Sequence, residues 1–203
     1  MYAHISLSQR KALLEDFSAS SHGIHHIMEL KKHSSLSALA SDRVIRLGHQ
    51  DFEKILALFE LGYPGYWFER KMLNYGPYFG IKNQHGEFLC VGGVHLYSET
   101  YNVATLGNIV THPKARSMGL GSQLTARLCQ ELAQSVRTIG LNVHAENQPA
   151  IHIYENLGFE KVLDYEECTL EKRWFLYFFF LAICFLIILS KRCSKRGRQW
   201  RRS

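Results

Sequence analysis

The chain has 203 residues, length enough for one ordinary domain and an appendage. Hydrophobic residues make up 46% and charged residues 21%, which excludes a disordered, collagen-like or coiled-coil chain. The formal net charge is +6, but residues 174–203 hold seven basic residues and no acidic one, while residues 1–173 hold 17 basic and 18 acidic residues. The body is near neutral, so no nucleic-acid partner is indicated. The five cysteines (Cys90, Cys129, Cys168, Cys184 and Cys193) form no Cys-x-x-Cys pair and are odd in number. Reduced thiols in an intracellular compartment are expected rather than a disulfide framework. No Asn-x-Ser/Thr acceptor occurs, and the first residues lack the charged-then-apolar pattern of a signal peptide.

Residues 1–40 read as a strand at AHISL, a short helix with Leu13, Leu14 and Phe17 on one face, a second strand at GIHHIMEL and a polar link. This extension is too small to fold alone; it packs on the next domain or belongs to a larger module. Residues 42–172 read as one α/β domain. RVIRL (43–47) alternates as a strand. Phe52, Ile55, Leu56 and Phe59 fall at helical spacing. FLCVGGVHLY (88–97) and NVATLGNIVT (102–111) form a hairpin about Ser98–Tyr101. Leu120, Leu124, Leu128, Leu132 and Val136 recur every four residues along an amphipathic helix, and IGLNVHA (139–145) is the next strand. A further helix is capped by Asn147, has Pro149 in its first turn and stops at Gly158. FEKVLDY and EECTLEK close the domain as a pair of strands.

Residues 174–190, WFLYFFFLAICFLIILS, carry no charge. At about 1.5 Å per residue they reach about 25 Å as a helix, a short membrane span. A transmembrane or interfacial helix is expected there, followed by a polybasic tail at 191–203. The seven basic residues would hold the tail on the cytoplasmic side, where the lack of a signal pattern would also hold the body. A single span cannot do both; a tail anchor inserted against the bias, or a helix lying in the interface, resolves the conflict. Cys193 beside the span reads first as a bystander thiol and second as an acceptor for palmitoylation.

The strongest local signal is THPKARSMGLGSQL, between a strand and the amphipathic helix. Gly119 and Gly121 let backbone amides approach a ligand, the helix start adds its positive end, and Arg116 adds a cation. Together these make a pyrophosphate pocket. It is not a Walker loop, because Gly121 is followed by Ser122-Gln123. It is not a Rossmann fingerprint either: Leu124 stands where the third glycine belongs, and Ile139–Leu141 stand where the acid belongs.

A second segment, LNVHAENQPAIHIYENLGFE, holds Asn147, Ala150, Tyr154 and Leu157-Gly158-Phe159 in register. The pair ARSMGLGSQL and NQPAIHIYENLGF resembles the GNAT superfamily of N-acetyltransferases, over about residues 42–170. The resemblance implies an α/β GNAT fold. It has a mixed, mostly antiparallel central sheet, flanking helices and a split between two central strands; the C-terminal hydrophobic helix is added to it. It implies acetyl-CoA as co-substrate, held in the split between NVATLGNIVT and IGLNVHA. Backbone groups of Ile109, Val110 and Thr111 would pair with the pantetheine arm. Amides of Arg116, Ser117, Met118, Gly119, Leu120, Gly121 and Ser122 would hold the pyrophosphate. Asn147 would hydrogen-bond the pantetheine region, and Tyr154 would be the general acid.

The chemistry asks for a neutral amine, a proton donor for the leaving thiolate and amides for the developing oxyanion. No metal is required. Many relatives carry a Glu on the strand before the glycine loop; NVATLGNIVT has no acid. His144 is the first candidate base, with His112, His95 and Glu99 as others. His144-Ala145-Glu146 lacks the Pro-Cys-x-x-Cys of a zinc deaminase, and His25 and His26 would point to opposite strand faces. GYPGYWFERKMLNYGPYF places seven aromatics in residues 63–79, lining an acceptor pocket or ordinary core. The expected activity is acetyl transfer from acetyl-CoA to a primary amine, the acceptor being a peptide or a small molecule, on a membrane-associated protein whose catalytic domain faces the cytoplasm. The alternatives are a non-catalytic acyl-CoA-sensing module tethered to a membrane, and a membrane adaptor whose basic tail does the work.

Overall fold

A computed structural model describes residues 1–32, 36, 39 and 41–172. They divide into two compact units, Gly23–Tyr165 and a smaller one of Met1–His22 with 166–172. The hydrophobic run at 174–190 and the basic tail lie outside the described residues. Among the described residues no helix is long and apolar enough to cross a membrane.

In the smaller unit, β1 (Tyr2–Ser6), α1 (Arg10–Asp16) and the first part of β2 (Phe17–Leu30) follow in sequence; the last part of β8 (Phe159–Lys172) lies between the two strands. Ile5, Cys168 and Leu170 are its core, with Leu13 and Phe17 packed against them. Buried Glu166 receives a hydrogen bond from Arg10 Nε at 2.6 Å, and the Ser21 hydroxyl and Arg10 hold its carboxyl below the usual range. Pairing of this kind is what a buried carboxylate needs.

The larger unit holds the rest of β2 and β8 with β3 (Ile45–Arg46), α2 (Phe52–Gly62), β4 (Tyr78–Lys82), β5 (Phe88–Ser98), β6 (Val103–Thr111), α3 (Leu120–Leu132), β7 (Thr138–His144) and α4 (Gln148–Asn156). Its strand order is β8-β2-β7-β6-β5-β4-β3. β2 with β7, β3 with β4, β4 with β5 and β5 with β6 are antiparallel, and β6 with β7 is parallel. This is the mixed, mostly antiparallel sheet that the resemblance implies.

Two cores follow from strand alternation. Leu106, Ile139, Leu141 and Val143 share one cluster with Leu120, Leu124, Leu128 and Leu132 of α3 and with Ile151 and Tyr154 of α4. Val91 and Val110 share the other with Ile55, Leu58 and Phe59 of α2. The four-residue leucine repeat therefore fixes the face of α3 that meets the sheet.

Four expectations change. The expected closing pair of strands is one continuous strand, β8: Tyr165 runs directly into Glu166, and no glycine, proline or asparagine occurs from Glu160 to Lys172 to turn the chain. β2 starts at Phe17, six residues before the expected GIHHIMEL. β3 is two residues long, because only Ile45 and Arg46 pair with β4. β4 was hidden in the aromatic segment; Tyr78, Phe79 and Ile81 are buried on both of its faces, so no alternation marked it.

Gly158 ends α4 at a φ of 96°, and a Cβ there would collide with the carbonyl of Lys32. That carbonyl's neighbours are fixed, since the amides of Lys31 and Lys32 both donate to the Gly158 oxygen. Gly158→Ala is expected to cost about 2 kcal/mol and lower the melting temperature by about 5 °C, as thermal unfolding would measure.

Candidate active site

The parallel pairing of β6 with β7 runs through Val103–Thr138, Ala104–Ile139, Thr105–Gly140 and Leu106–Leu141, and stops there. Beyond that point each strand keeps its outer neighbour. Val110 and Thr111 pair with Val91 and Cys90 of β5, and Asn142, Val143 and His144 pair with Ile27, His26 and His25 of β2. The sheet opens between the two strands, leaving one edge of Ile109, Val110 and Thr111 facing a gap rather than a ladder partner.

The glycine loop sits beyond the end of β6. Ser117 and Gly119 have φ of 62° and 73°, two left-handed residues separated by Met118. Ser117 is a non-glycine residue there, a strained conformation of the sort found at ligand clamps. The first bond of α3 is from the Gln123 amide to the Gly119 carbonyl, 3.1 Å. The six amides of Ser117–Ser122 have no backbone acceptor among the described residues. Such a run of donors, at the positive end of a helix with no acid in its first turn, makes an anion cradle. A Cβ on Gly121 would meet only Ile153 Cδ1 at 3.6 Å and Thr111 Oγ1 at 3.8 Å, ordinary contacts. The protein itself therefore does not demand a glycine at 121, and that flank of the loop is open to close approach by another group. The Arg116 guanidinium donates from Nη2 to the Gly62 carbonyl at the end of α2, 3.0 Å. It thereby ties the loop to α2. Met118 is 58% exposed.

Tyr154 faces inward from α4. It is buried, its ring 5.9 Å from Phe159, and no hydrogen-bond partner for its hydroxyl is found among the described residues. Burial pushes its phenol up to about 12, and the Cys90 and Cys129 thiols add to the shift. Cys90 is itself buried, with its Sγ 3.3 Å from Thr111 Oγ1, and burial pushes its thiol up to about 11. The structure thus brings Tyr154, Cys90, Thr111, Ile153 and Gly121 together where β6 ends. Tyr154 is a neutral donor at physiological pH.

His144 ends β7. Its Nδ1 accepts from the Glu146 amide at 3.2 Å, and its ring lies edge-on to His25 at 4.8 Å. A Cβ on Gly23 would collide with its Nε2, so the ring is held on both sides. With Nδ1 accepting, a neutral imidazole carries its proton on Nε2. The Nδ1 lone pair is thus engaged by the Glu146 amide. His112 Nδ1 likewise accepts from the Lys114 amide at 3.1 Å. His95 is exposed on β5, its ring 6.5 Å from that of Trp67. Asn147 caps α4 with Oδ1 accepting from the Ala150 amide at 3.3 Å, leaving its Nδ2 group directed outside that cap. His26 pairs with Asp164 at 2.6 Å, and no group of three or more metal-ligating side chains exists among the described residues.

The aromatic segment divides. Phe68, Tyr78 and Phe79 are buried, whereas Tyr63 and Trp67 are exposed. Sequence reasoning missed Asn108, whose φ is 56° and whose Nδ2 donates to Tyr78 Oη at 3.1 Å. The signal was present: Gly107-Asn108 is a strand-averse pair inside a strand, the mark of a bulge.

Residues 90–169 match the family described as FR47-like protein. The alanine N-acetyltransferase of ribosomal protein bS18 from Escherichia coli is 44% identical over 59 residues. That match spans 29% of this chain and 40% of the relative's length. Among solved structures, a GNAT-family protein from Novosphingobium aromaticivorans superposes with a TM-score of 0.65 at 22% identity, over 76% of this chain and 67% of that one. The Escherichia coli ribosomal-protein-S18-alanine N-acetyltransferase superposes with a TM-score of 0.51 at 23% identity, over 62% and 90% of the two chains. These likenesses show the fold.

The two loop glycines are expected to separate in stability measurements. Gly119→Ala forces a side chain into a left-handed residue and costs about 1 kcal/mol. Gly121→Ala, in the first turn of α3 with room for its methyl group, stays within about 0.5 kcal/mol of the parent in denaturant unfolding.

Proposed function

We propose that this chain, which belongs to the GNAT superfamily through its FR47-like domain at residues 90–169, transfers an acetyl group from acetyl-CoA to a primary amine, with a peptide N-terminus as the favoured acceptor. The observation that carries this reading is the run of unpartnered amides at Ser117–Ser122 beside an opened strand pair. The residues present fit acetyl-CoA. The amide run suits a pyrophosphate, the vacant flank of Gly121 suits its close approach, and the unpaired edge of Ile109–Thr111 suits an amide-bearing arm. Asn147 Nδ2 adds a donor at the start of α4. When bound, acetyl-CoA supplies an activated thioester whose acetyl carbon is attacked by the amine nitrogen, giving the amide and free CoA thiol.

Backbone amides at the split donate to the negative charge that grows on the carbonyl oxygen. Tyr154 donates to the departing sulfur. A phenol near 12 stays protonated, but passing its proton fully to a thiolate of pKa ~8.5 is uphill by several units. Its contribution is therefore a strong hydrogen bond, completed by the proton that the nitrogen loses. One proton leaves the amine and one arrives on sulfur, so the balance closes without a metal.

The acceptor class follows from who removes that proton. β6 carries no carboxylate, and the His144 lone pair is engaged by Glu146. An α-amine, with a pKa of ~7.7–8.0, is about one-third neutral near pH 7.5 and can lose its proton to water; a lysine side chain, at ~10.4, is only about 0.1% neutral. The α-amine needs no fixed base. The partial similarity to an enzyme named for alanine N-acetylation of a ribosomal protein supports the same class. The uncharged run 174–190 and the basic residues after it support membrane association, and the need for acetyl-CoA favours a catalytic domain facing the cytoplasm, with the run lying in the interface or inserted against the charge bias. Removal of 174–203 should then release the protein from the membrane fraction.

The test is thiol release by the full chain with acetyl-CoA and two peptides, one with a free N-terminus, the other N-terminally blocked but carrying lysine. The free N-terminus is expected to react faster by at least about tenfold. Gly121→Glu should abolish acetyl-CoA binding, and Tyr154→Phe should lower kcat by about 10²-fold. His144→Gln should stay within about threefold; a loss nearer 10²-fold would return the base to His144. Acetyl-CoA binding without release on any amine would favour the sensing module, and no binding would sink the reading of the loop.

A further inference from the structure

The expectation for β6 was a plain strand, but its registers do not allow one. Gly107 pairs with Gly93 and Val110 with Val91, so Asn108 and Ile109 together oppose the single residue Gly92. That is a β-bulge. Side-chain placement gives the same answer independently. Leu106 and Ile109 pack in the same cluster, although residues three apart on an unbroken strand point to opposite faces. The bulge begins one residue past Gly107, which follows Leu106, the last residue of β6 to pair with β7. It therefore sits at the mouth of the split and takes the backbone groups of Asn108 and Ile109 out of the ladder with β5.

A left-handed Asn108 is tolerated more easily than most residues but is not free. It is held from its side chain. Nδ2 donates to Tyr78 Oη at 3.1 Å, with Met72 Sδ at 3.8 Å. Tyr78 is anchored: it is 1% exposed, its backbone pairs with Gly93, and its ring stands 5.6 Å from that of Phe68. A Cβ on Gly93 would collide with the Tyr78 ring, so a glycine there makes room for the phenol under the bulge. Both Tyr78 and Met72 belong to the core beneath α2. The hydrogen bond thus connects a rigid part of the core to the backbone that leaves the ladder.

We infer that Tyr78 and Asn108 are positioning residues, whose hydrogen bond sets the direction of the bulge amides toward an acetyl carbonyl in the split. This rests on the acetyltransferase reading. Neither side chain takes part in bond making; each acts through the backbone of Asn108–Ile109. The arrangement explains a polar pair kept between a strand and the α2 core, where an apolar pair would pack without needing a partner.

The experiment uses the full chain with Tyr78→Phe, Asn108→Gly and the double variant. Glycine accepts the left-handed conformation, so Asn108→Gly removes the side-chain tie and keeps the fold. Each single variant should lower kcat by about tenfold while the KM for acetyl-CoA moves less than about twofold, and the double variant should be no worse than either single one. A second measurement does not depend on turnover. The ratio of affinities for acetyl-CoA and free CoA, read by calorimetry, should fall severalfold in each variant while CoA affinity is kept. Unchanged kcat and an unchanged ratio would overturn the inference, as would effects that multiply in the double variant. A parent that binds acetyl-CoA but acetylates nothing would remove the enzyme reading alone; the affinity ratio would still decide the role of the pair.

Discussion

The end of the parallel ladder at Leu106 and Leu141 is the constraint on which the rest of the site depends. Up to that pair, β6 and β7 share hydrogen bonds. Past it, each is claimed by an antiparallel neighbour, β5 or β2, and those outer pairings continue without the inner one. Antiparallel ladders are slightly the more stable per residue, so keeping the outer pairs at the expense of the inner one is the cheaper arrangement. The gap is thus a consequence of pairing on either side of it. The bulge at Asn108–Ile109 coincides with the point of divergence, adding local twist where the strands separate.

Two helices then complete what the gap begins. α3 starts after β6 and α4 after β7, so both helix starts stand at the open ends of the split strands. Their caps differ. α4 is closed by Asn147, whose side chain accepts from its first turn. α3 begins at Gly119 without a side-chain cap, leaving its first amides for something else. A glycine at the N-cap costs α3 only about a few tenths of a kcal/mol relative to a side-chain cap, so little stability is lost in leaving the amides free. The uncapped start, the strained Ser117 and the uncrowded Gly121 occur in one loop, and all three would be accounted for by the pyrophosphate of the proposed co-substrate.

Much of this was legible in the sequence because the residues involved are unusual for their surroundings. Glycines at 119 and 121 before a leucine-patterned helix pointed to the amide cradle, and the Asn147–Pro149–Gly158 punctuation marked the limits of α4. What was not legible depended on neighbours far along the chain. β4 is buried on both faces and shows no alternation. β8 runs through an acidic stretch that looks like a turn until its partners are known. His144 looked free at a strand end, and only the fold showed the Glu146 amide and Gly23 on its two sides. Asn108 carried a readable local signal, but its tie to Tyr78 crosses 30 residues.

The site relies on neutral groups. Its donors are backbone amides, an asparagine amide and a phenol that burial keeps protonated. Even Arg116 is partly committed, bonded to the carbonyl that ends α2. Fixed dipoles of this kind stabilise charge that develops during reaction without paying the cost of burying a full charge beforehand. The same economy has a consequence for the acceptor. A site that supplies oriented dipoles and no dedicated carboxylate base on β6 works best on a nucleophile that already loses its proton near neutral pH. On the proposed reading, the electrostatic design of the donor side therefore constrains the chemistry of the amine side, and an α-amine would satisfy both.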